Sequence, residues 1–362
     1  MTLLALFTLN TTAAGEALIP DIIKDAFQPS AEFAGKKSSH RSPLLFADGR
    51  PVETSSDWTL RREEILKTWH HYMGEWPALL DKPQIKKGEP TQRDNFTQYP
   101  VVVPIAAQRS EKGYLMIPNG KGPFPAVFIP FYDPETSAGL EGKAHRDFAY
   151  QLAKKGFVTL SIGAPGGDAR KPLLPDGAKC QPLSYLGYIS ANAWLALAEL
   201  PEVDASRIGI MGHSYGGKWA MFGSCLWEKY ACAVWSDPGI VFDETRKSIN
   251  YWEPWYLGNE PGAVPKRGLI TPQNPRGGAY KALVENGHDL HELHALMAPR
   301  PFLVSGGSED FPSRWLALNH AIEVNALLGH KERVAMTNRE LHSPDEHSNA
   351  QMVAFFEWCL NP

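Results

Sequence analysis

The sequence predicts an α/β fold in which a mostly parallel sheet is covered by helices on both faces. Beyond about residue 145, short apolar runs alternate with longer helical segments. The runs themselves are apolar, as expected for strands that are buried on both sides. The chain has 362 residues, of which 43% are hydrophobic and 21% charged, which suits a globular protein with a large core.

The N-terminal part divides into two predicted regions. Residues 1–18 contain the apolar stretch MTLLALFTLN followed by small residues, which indicates a possible signal peptide, although the usual basic start is missing. Residues 19–96 are predicted to form an extension with one helix in SSDWTLRREEILKTWHHYM, where Trp58, Ile65 and Trp69 can share a face. An exported protein, either secreted or periplasmic, is therefore expected.

The remaining elements follow in order along the chain. The runs YPVVVPIAA, KGYLMIP and FPAVFIP are predicted strands that add an antiparallel edge. The later predicted strands are FVTLSIG, RIGIMG, ACAVWSD, PFLVSGG and ERVAMTN. The intervening predicted helices are DFAYQLAKKG, SYLGYISANAWLALAELPEV, GGKWAMFGSCLWEKY, HDLHELHALMAP, SRWLALNHAIEVNALLG and SNAQMVAFFEWCL.

Charge, hydropathy and cysteine spacing exclude several classes of function. The net charge is −4 and no basic stripe is present, so nucleic acid is not an expected partner. No stretch is long and apolar enough to predict an integral membrane segment. The four cysteines form no CxxC pair, and HDLHELH lacks the HExxH spacing, so no metal site is expected. Free buried thiols are the default, and the pairing of the cysteines stays open.

The stretch GHSYG places Ser214 between a predicted strand and a predicted helix. It fits the pattern G-x-S-x-G, in which a sharp turn raises a serine hydroxyl above the sheet. Gly212 and Gly216 would give clearance for that turn, and the N–H group of Tyr215 could donate to a developing oxyanion. The alternative is a glycine-rich turn with a capping serine. We interpret Ser214 as a nucleophile.

A serine nucleophile needs a base and an acid, which follow in the order serine, acid, histidine on this kind of sheet. Asp310, after PFLVSGG, is the preferred acid, with Glu309 as its near competitor. Asp237 and Asp243, after the preceding strand, are more distant alternatives.

Two histidines follow the last predicted strand. His342 is preferred as the base because it lies nearer the strand end, while His347 falls at the start of the final helix. A hydrogen bond from His342 to Asp310 would fix the tautomer that accepts the Ser214 proton. The second oxyanion donor is expected after FPAVFIP, at Phe131 or Tyr132. No cofactor is needed for this chemistry.

Aromatic residues are abundant, with 11 Trp, 12 Tyr and 16 Phe. They can build a core, or some can line a sugar-binding cleft with their flat faces. The segment NYWEPWYLG, with Trp252 and Trp255, is the candidate for sugar stacking, and core or lid packing is the alternative.

With GHSYGG, GGSED and His342, the chain resembles the α/β-hydrolase superfamily from about residue 101 to residue 360. Residues 97–362 would then form the catalytic domain. Within the superfamily it resembles bacterial exported carbohydrate esterases of the acetyl xylan esterase-like and glucuronoyl esterase-like groups, through DWTLRREEILKTWHHYMGEWP and DLHELHALMAPRPFLVSGGSED.

Gly217 and Lys218 match the glucuronoyl esterase pattern, but Tyr215 stands where that family has arginine. Lys218 would reach a sugar hydroxyl or point to solvent.

The resemblance implies a serine esterase with a catalytic triad that deacetylates an ester-bearing polysaccharide or oligosaccharide through an acyl-enzyme. The alternatives are a glucuronoyl esterase and a serine peptidase on the same fold. A further alternative is an inactive carbohydrate-binding homologue.

Overall fold

The computed structural model describes residues 18–171, 174, 179–262 and 266–361. The predicted signal peptide, apart from its last residue, lies outside the described residues. The description below concerns these ranges.

A ten-stranded mixed sheet forms the centre of the described structure. Its strands are β1 (Lys86–Lys87), β2 (Thr91–Arg93), β3 (Phe96–Ala106), β4 (Arg109–Pro118), β5 (Phe124–Pro130), β6 (Val158–Ile162), β7 (Val203–His213), β8 (Ala233–Ser236), β9 (Phe302–Gly306) and β10 (Val334–Asn338). Their order across the sheet is β1-β3-β4-β6-β5-β7-β8-β9-β10, and β2 pairs with β3.

The sheet has an antiparallel part and a parallel part. Strands β3 and β4 pair antiparallel, and β4 pairs antiparallel with β6. Strand β5 was expected in the antiparallel edge, but it lies inside the parallel part, between β6 and β7. The parallel pairing continues through β8 and β9 to β10. The carboxyl ends of these strands therefore meet at one edge of the sheet, where the loops that follow them lie together.

Helices cover both faces of the sheet. They are α1 (Asp21–Lys24), α2 (Ser55–Met73), α3 (Pro134–Ser137), α4 (Phe148–Lys154), α5 (Pro182–Ala198), α6 (Tyr215–Leu226), α7 (Gly278–Glu285), α8 (His291–Leu296), α9 (Trp315–Leu327) and α10 (Glu346–Leu360). One core cluster joins the sheet to α2, α5, α6, α8 and α9. A second cluster joins the opposite face to α1, α4 and α10. The predicted two-sided α/β architecture is confirmed.

The helix predicted in the N-terminal extension is present as α2. Thr54 caps it, since its hydroxyl accepts from the Asp57 N–H group while the Asp57 carboxylate accepts from Thr54. Its face with Trp58, Ile65 and Trp69 is buried in the same core as the sheet. The boundary at residue 97 stays a prediction, and β1 and β2, which precede it, already pair with β3.

None of the helices in the described ranges is long and apolar enough to cross a membrane.

Candidate active site

Ser214 occupies the sharp turn between β7 and α6. Its φ is 57° and its ψ is −116°, a strained conformation for a residue with a side chain. Neighbouring glycines make the turn possible: a Cβ on Gly212 would lie 2.0 Å from the Gly216 oxygen, and one on Gly216 would lie 2.2 Å from the Pro130 oxygen. The glycines in this stretch therefore provide clearance, as the sequence predicted.

A chain of hydrogen bonds links Ser214 to a histidine and an acid. His342 Nε2 lies 2.9 Å from Ser214 Oγ, and His342 Nδ1 lies 2.7 Å from Asp237 Oδ2. His342 is half-buried in the loop between β10 and α10, whereas Asp237 is fully buried directly after β8. This geometry lets His342 accept the Ser214 proton while Asp237 holds the ring.

The structure corrects the predicted acid. Asp310, which was preferred, is fully buried, and its carboxylate accepts from the N–H groups of Gly239 and Ile240, each at 2.7 Å. The partner of His342 is Asp237, which the sequence offered only as a distant alternative. The reason is side-chain direction: the Asp237 carboxylate faces the His342 ring, whereas the Asp310 carboxylate faces the N–H groups of the loop after β8.

The other candidate acids and the other candidate base have different surroundings. Glu309 lies 3.5 Å from Arg246, and Asp243 accepts from Arg314 at 2.7 Å. His347 is exposed in the first turn of α10. Of the two histidines after β10, the structure therefore brings His342, and not His347, to Ser214.

Asp237 is held by several backbone donors. Its carboxylate accepts from the N–H groups of Gly307 at 2.7 Å, Asp310 at 2.8 Å and Glu309 at 3.1 Å. These groups belong to the loop after β9, so the loop orients the acid for His342.

Burial raises the pKa of Asp310 to about 6, and the nearby Asp237 charge adds to that increase.

The structure places the two predicted oxyanion donors in different surroundings. The Tyr215 N–H group begins α6 beside Ser214. The Phe131 N–H group, by contrast, already donates to the Ile162 oxygen at 3.1 Å, and its ring is buried, so the prediction of Phe131 is wrong. Among the hydrogen bonds of the described residues, none uses the N–H group of Tyr132, which lines the cleft above Ser214. Tyr132, the neighbouring alternative, is the better candidate for the second donor.

A cleft of about 200 Å³ opens above Ser214. Trp255 and Lys218, two of the predicted substrate-binding residues, line it together with Tyr256 and Glu253. The third, Trp252, does not: its ring is fully buried against Tyr280 and its indole N–H group donates to the Gly268 oxygen at 3.0 Å. Trp252 is thus a core residue, and the prediction that it contacts substrate is wrong.

Two ionisable side chains that line this cleft are shielded from water. Lys218 is buried, donates to the Pro238 oxygen and lies 4.3 Å from the centre of the Tyr251 ring, and burial lowers its pKa to about 8. Burial likewise raises the pKa of Glu253 to about 7, although Arg267 lies 3.7 Å away. Lys218 does not point to bulk solvent, which removes one of its two predicted roles.

Sequence reasoning missed Glu253. It stands inside NYWEPWYLG, the segment singled out for its aromatic residues. A lone acid among aromatic residues was the available signal, because such a group is buried only where a site uses it or a partner satisfies it.

The described structure has the α/β-hydrolase fold. Residues 87–242 match the family model described as "Esterase FrsA-like". A protein named Esterase FrsA from Yersinia pestis (strain Pestoides F) is 29% identical over 132 residues, which is 35% of this chain and 28% of that protein. The chain thus spans less than a third of that curated relative.

Solved structures extend the similarity to nearly the whole chain. A glucuronoyl esterase from Solibacter usitatus has a TM-score of 0.69 at 18% identity, covering 89% of this chain and 97% of that one. A candidate acetyl xylan esterase from Bacteroides fragilis NCTC 9343 has a TM-score of 0.53 at 15% identity, covering 91% and 86%. At this identity the likeness establishes the shared fold, and the carbohydrate esterases that the sequence motifs suggested are among the proteins that share it.

Proposed function

We propose that this chain is a serine esterase that removes an acyl group, acetyl first of all, from an esterified carbohydrate. The hydrogen-bonded chain Ser214–His342–Asp237 at the base of an open cleft is the observation that carries this proposal. A serine, a histidine and a carboxylate in this geometry are the minimal set for nucleophilic acyl transfer.

In the first step, Ser214 Oγ attacks the ester carbonyl carbon while His342 Nε2 takes the hydroxyl proton. The carbonyl oxygen becomes an oxyanion, which the N–H groups of Tyr215 and Tyr132 stabilise. When the tetrahedral intermediate collapses, the bond to the alcohol oxygen breaks and His342 gives its proton to that oxygen. The sugar alcohol leaves, and the acyl group stays on Ser214.

In the second step, a water molecule attacks the acyl-enzyme. His342 accepts a proton from the water, and the same two N–H groups hold the second oxyanion. Collapse returns the proton to Ser214 Oγ and releases the carboxylic acid. Asp237 keeps the His342 ring in the tautomer that both steps require.

The walls of the cleft support a saccharide as the alcohol part. Trp255 and Tyr256 present aromatic surface, and Lys218 and Glu253 present polar groups at its base. Sugars combine apolar C–H faces with hydroxyl groups, so a cleft with both kinds of wall suits them. An acetylated xylan or related oligosaccharide fits these walls, and proteins of the same fold include a candidate acetyl xylan esterase.

A glucuronoyl ester is a second candidate substrate. Lys218 in the cleft and the fold likeness to a glucuronoyl esterase favour it. Tyr215 argues against it, since the resemblance to that family requires an arginine there. The buried Tyr215 ring, packed 5.1 Å from Tyr132, leaves no cation at that position.

Export to the periplasm or the medium belongs to the same proposal. The apolar segment MTLLALFTLN supports export, since it has the pattern of a signal peptide. The proposed substrate supports it as well, because polymeric carbohydrates lie outside the cell membrane. Expression of the full chain followed by cell fractionation and N-terminal sequencing of the mature protein tests this part.

The central experiment compares wild type with Ser214→Ala on p-nitrophenyl acetate, acetylated xylan and a methyl glucuronate ester. We expect wild type to hydrolyse the acetyl esters and Ser214→Ala to be inactive on all three. Failure of wild type on every ester would refute the esterase proposal. If wild type and Ser214→Ala then both bound xylan, the chain would be a carbohydrate-binding homologue without activity. Cleavage of a peptide substrate instead would indicate a peptidase.

A further inference from the structure

Arg339 lies one residue beyond β10 and three residues before His342. Its side chain turns inward, and its guanidinium group donates to the main chain of the histidine itself: Nη2 lies 2.7 Å from the His342 oxygen. One residue further along the chain, Nε donates to the Ser343 oxygen at 3.0 Å. One side chain therefore holds the two peptide groups that flank the Ser343 Cα, the first of which follows His342 directly.

The same guanidinium group also binds the ends of two neighbouring strands. Nη1 donates to the Ser305 oxygen at 2.9 Å and to the Ser305 hydroxyl at 3.0 Å, at the end of β9. Nη2 contacts the Ser236 hydroxyl at 3.3 Å, at the end of β8 and directly before Asp237. Arg339 thus connects the His342 loop to the strand that supplies its acid.

Of the side chains next to His342 in this loop, only Pro344, two residues further on, is buried. Leu341, the residue before His342, is 67% exposed, and Ser343 after it is exposed as well. A second arginine, Arg146, donates to the Ser343 hydroxyl at 3.0 Å from the side of α4. Polar anchors, of which Arg339 makes the most contacts, hold the His342 main chain in place.

We infer that Arg339 is a positioning residue, which sets the His342 ring between Ser214 and Asp237 by fixing the main chain of the histidine loop. The inference rests on the proposed serine esterase function. The planar guanidinium group can serve several carbonyl oxygens in one plane, whereas a lysine ammonium is a compact donor on a flexible stem. Displacing a catalytic group by about 1 Å costs up to roughly 10²-fold in rate.

The test compares Arg339→Lys and Arg339→Gln with a matched control, Arg300→Lys. Arg300 is a half-buried arginine whose guanidinium group donates to the oxygens of Ser224, Tyr230 and Leu296, at the opposite edge of the sheet from Ser214. We expect both Arg339 variants to lose about 10- to 100-fold in kcat on p-nitrophenyl acetate, with KM within about twofold of wild type. Arg300→Lys is expected to lower the thermal midpoint while leaving kcat near wild type.

A second arm places Arg339→Lys in a His342→Ala background. If Arg339 acts through His342, the double variant is no slower than His342→Ala alone. A further drop in kcat in the double variant, unchanged kcat in Arg339→Lys, or an equal loss in Arg300→Lys would each overturn the positioning role.

A spectroscopic readout separates this inference from the proposed function. The downfield proton resonance of the His342–Asp237 hydrogen bond is expected to shift or broaden in folded Arg339→Lys and to stay unchanged in Arg300→Lys. If wild type hydrolyses no ester, the proposed function fails, yet the resonance still reports whether Arg339 sets the ring. If wild type is active and the resonance and kcat of Arg339→Lys match wild type, only the positioning inference fails.

Discussion

Asp237 and Asp310 each accept hydrogen bonds from the loop in which the other lies. The Asp310 N–H group donates to Asp237 Oδ1 at 2.8 Å, and the Asp310 carboxylate in turn accepts from the N–H groups of Gly239 and Ile240, two and three residues beyond Asp237. Each acid thus lies in the loop after a parallel strand and accepts from backbone donors in the loop after the neighbouring strand. The arrangement makes the position of Asp237 depend on Asp310, although Asp237 alone contacts His342.

These hydrogen bonds predict that replacing the two acids has different effects on kcat and on stability. Asp237→Asn places an amide against His342 Nδ1 and favours the wrong tautomer, so kcat is expected to fall about 10³- to 10⁴-fold with little change in folding. Asp310→Asn keeps one acceptor oxygen and leaves one backbone N–H group facing an amide NH₂, which costs roughly 1–3 kcal/mol of stability. Its kcat is expected to fall less than about tenfold. Steady-state kinetics on p-nitrophenyl acetate and urea unfolding measure both quantities.

The reverse order of kinetic loss would contradict the geometry. If Asp310→Asn were the slower enzyme while remaining as stable as wild type, Asp310 would be the functional acid, as the sequence first suggested. Asp243→Asn serves as a control, because Asp243 pairs with Arg314 and does not contact His342.

A second prediction separates the two histidines after β10. His342→Ala removes the group that lies 2.9 Å from Ser214 Oγ, so we expect a loss of at least about 10³-fold in kcat. His347→Ala changes an exposed side chain in the first turn of α10, and its activity is expected to stay within about twofold of wild type. Parallel assays of the two variants decide the matter, and comparable losses in both would refute the assignment of the base.

Much of this site follows from local sequence patterns. Ser214 is marked by glycines that its turn requires, and His342 is marked by its place after the last apolar strand. The acid is harder to assign, because the loops after β8 and β9 each carry an aspartate at the same edge of the sheet. Adjacent strands lie only about 4.8 Å apart, so side-chain direction, which the sequence does not encode locally, selects between Asp237 and Asp310.

The errors at Phe131 and Trp252 have a related cause. Phe131 lies one residue beyond β5, and whether its N–H group is free depends on the pairing with β6, which a single strand pattern does not show. Trp252 and Trp255 are three residues apart in an irregular segment without a periodicity that would assign one to the core. Tertiary packing decides which indole faces the cleft.

A third prediction tests the saccharide cleft. Trp255→Ala removes a half-buried aromatic wall, and a stacking contact of about 0.5–1.5 kcal/mol corresponds to roughly a 2- to 12-fold higher KM for an acetylated xylo-oligosaccharide. The KM for p-nitrophenyl acetate is expected to change less, since that ester is too small to span the cleft. Kinetics on both esters measure the difference.

Trp252→Phe is the matched control for Trp255→Ala. It breaks the hydrogen bond to the Gly268 oxygen inside the core, so a loss of stability of about 1–3 kcal/mol is expected without a selective effect on the saccharide KM. A higher saccharide KM in Trp252→Phe with unchanged KM in Trp255→Ala would contradict the placement of the two rings.

The last prediction concerns stability and pH, through Glu253. Burial raises its pKa from 4.5 to about 7, so between these pH values the folded state keeps a proton that the unfolded state has released. The free energy of unfolding therefore falls as pH rises through this window, by roughly 2–3 kcal/mol from this one group. Glu253→Gln keeps a neutral side chain of the same shape beside Asn250 and removes that loss.

Urea unfolding of wild type and Glu253→Gln at pH 5 and pH 8 is expected to show similar stabilities at pH 5 and a more stable variant at pH 8. Because Asp289 and Asp310, whose pKa values are also raised, titrate in both proteins, the difference between the two curves isolates Glu253. Parallel curves for wild type and Glu253→Gln would show that Glu253 is ionised in the folded protein throughout this range.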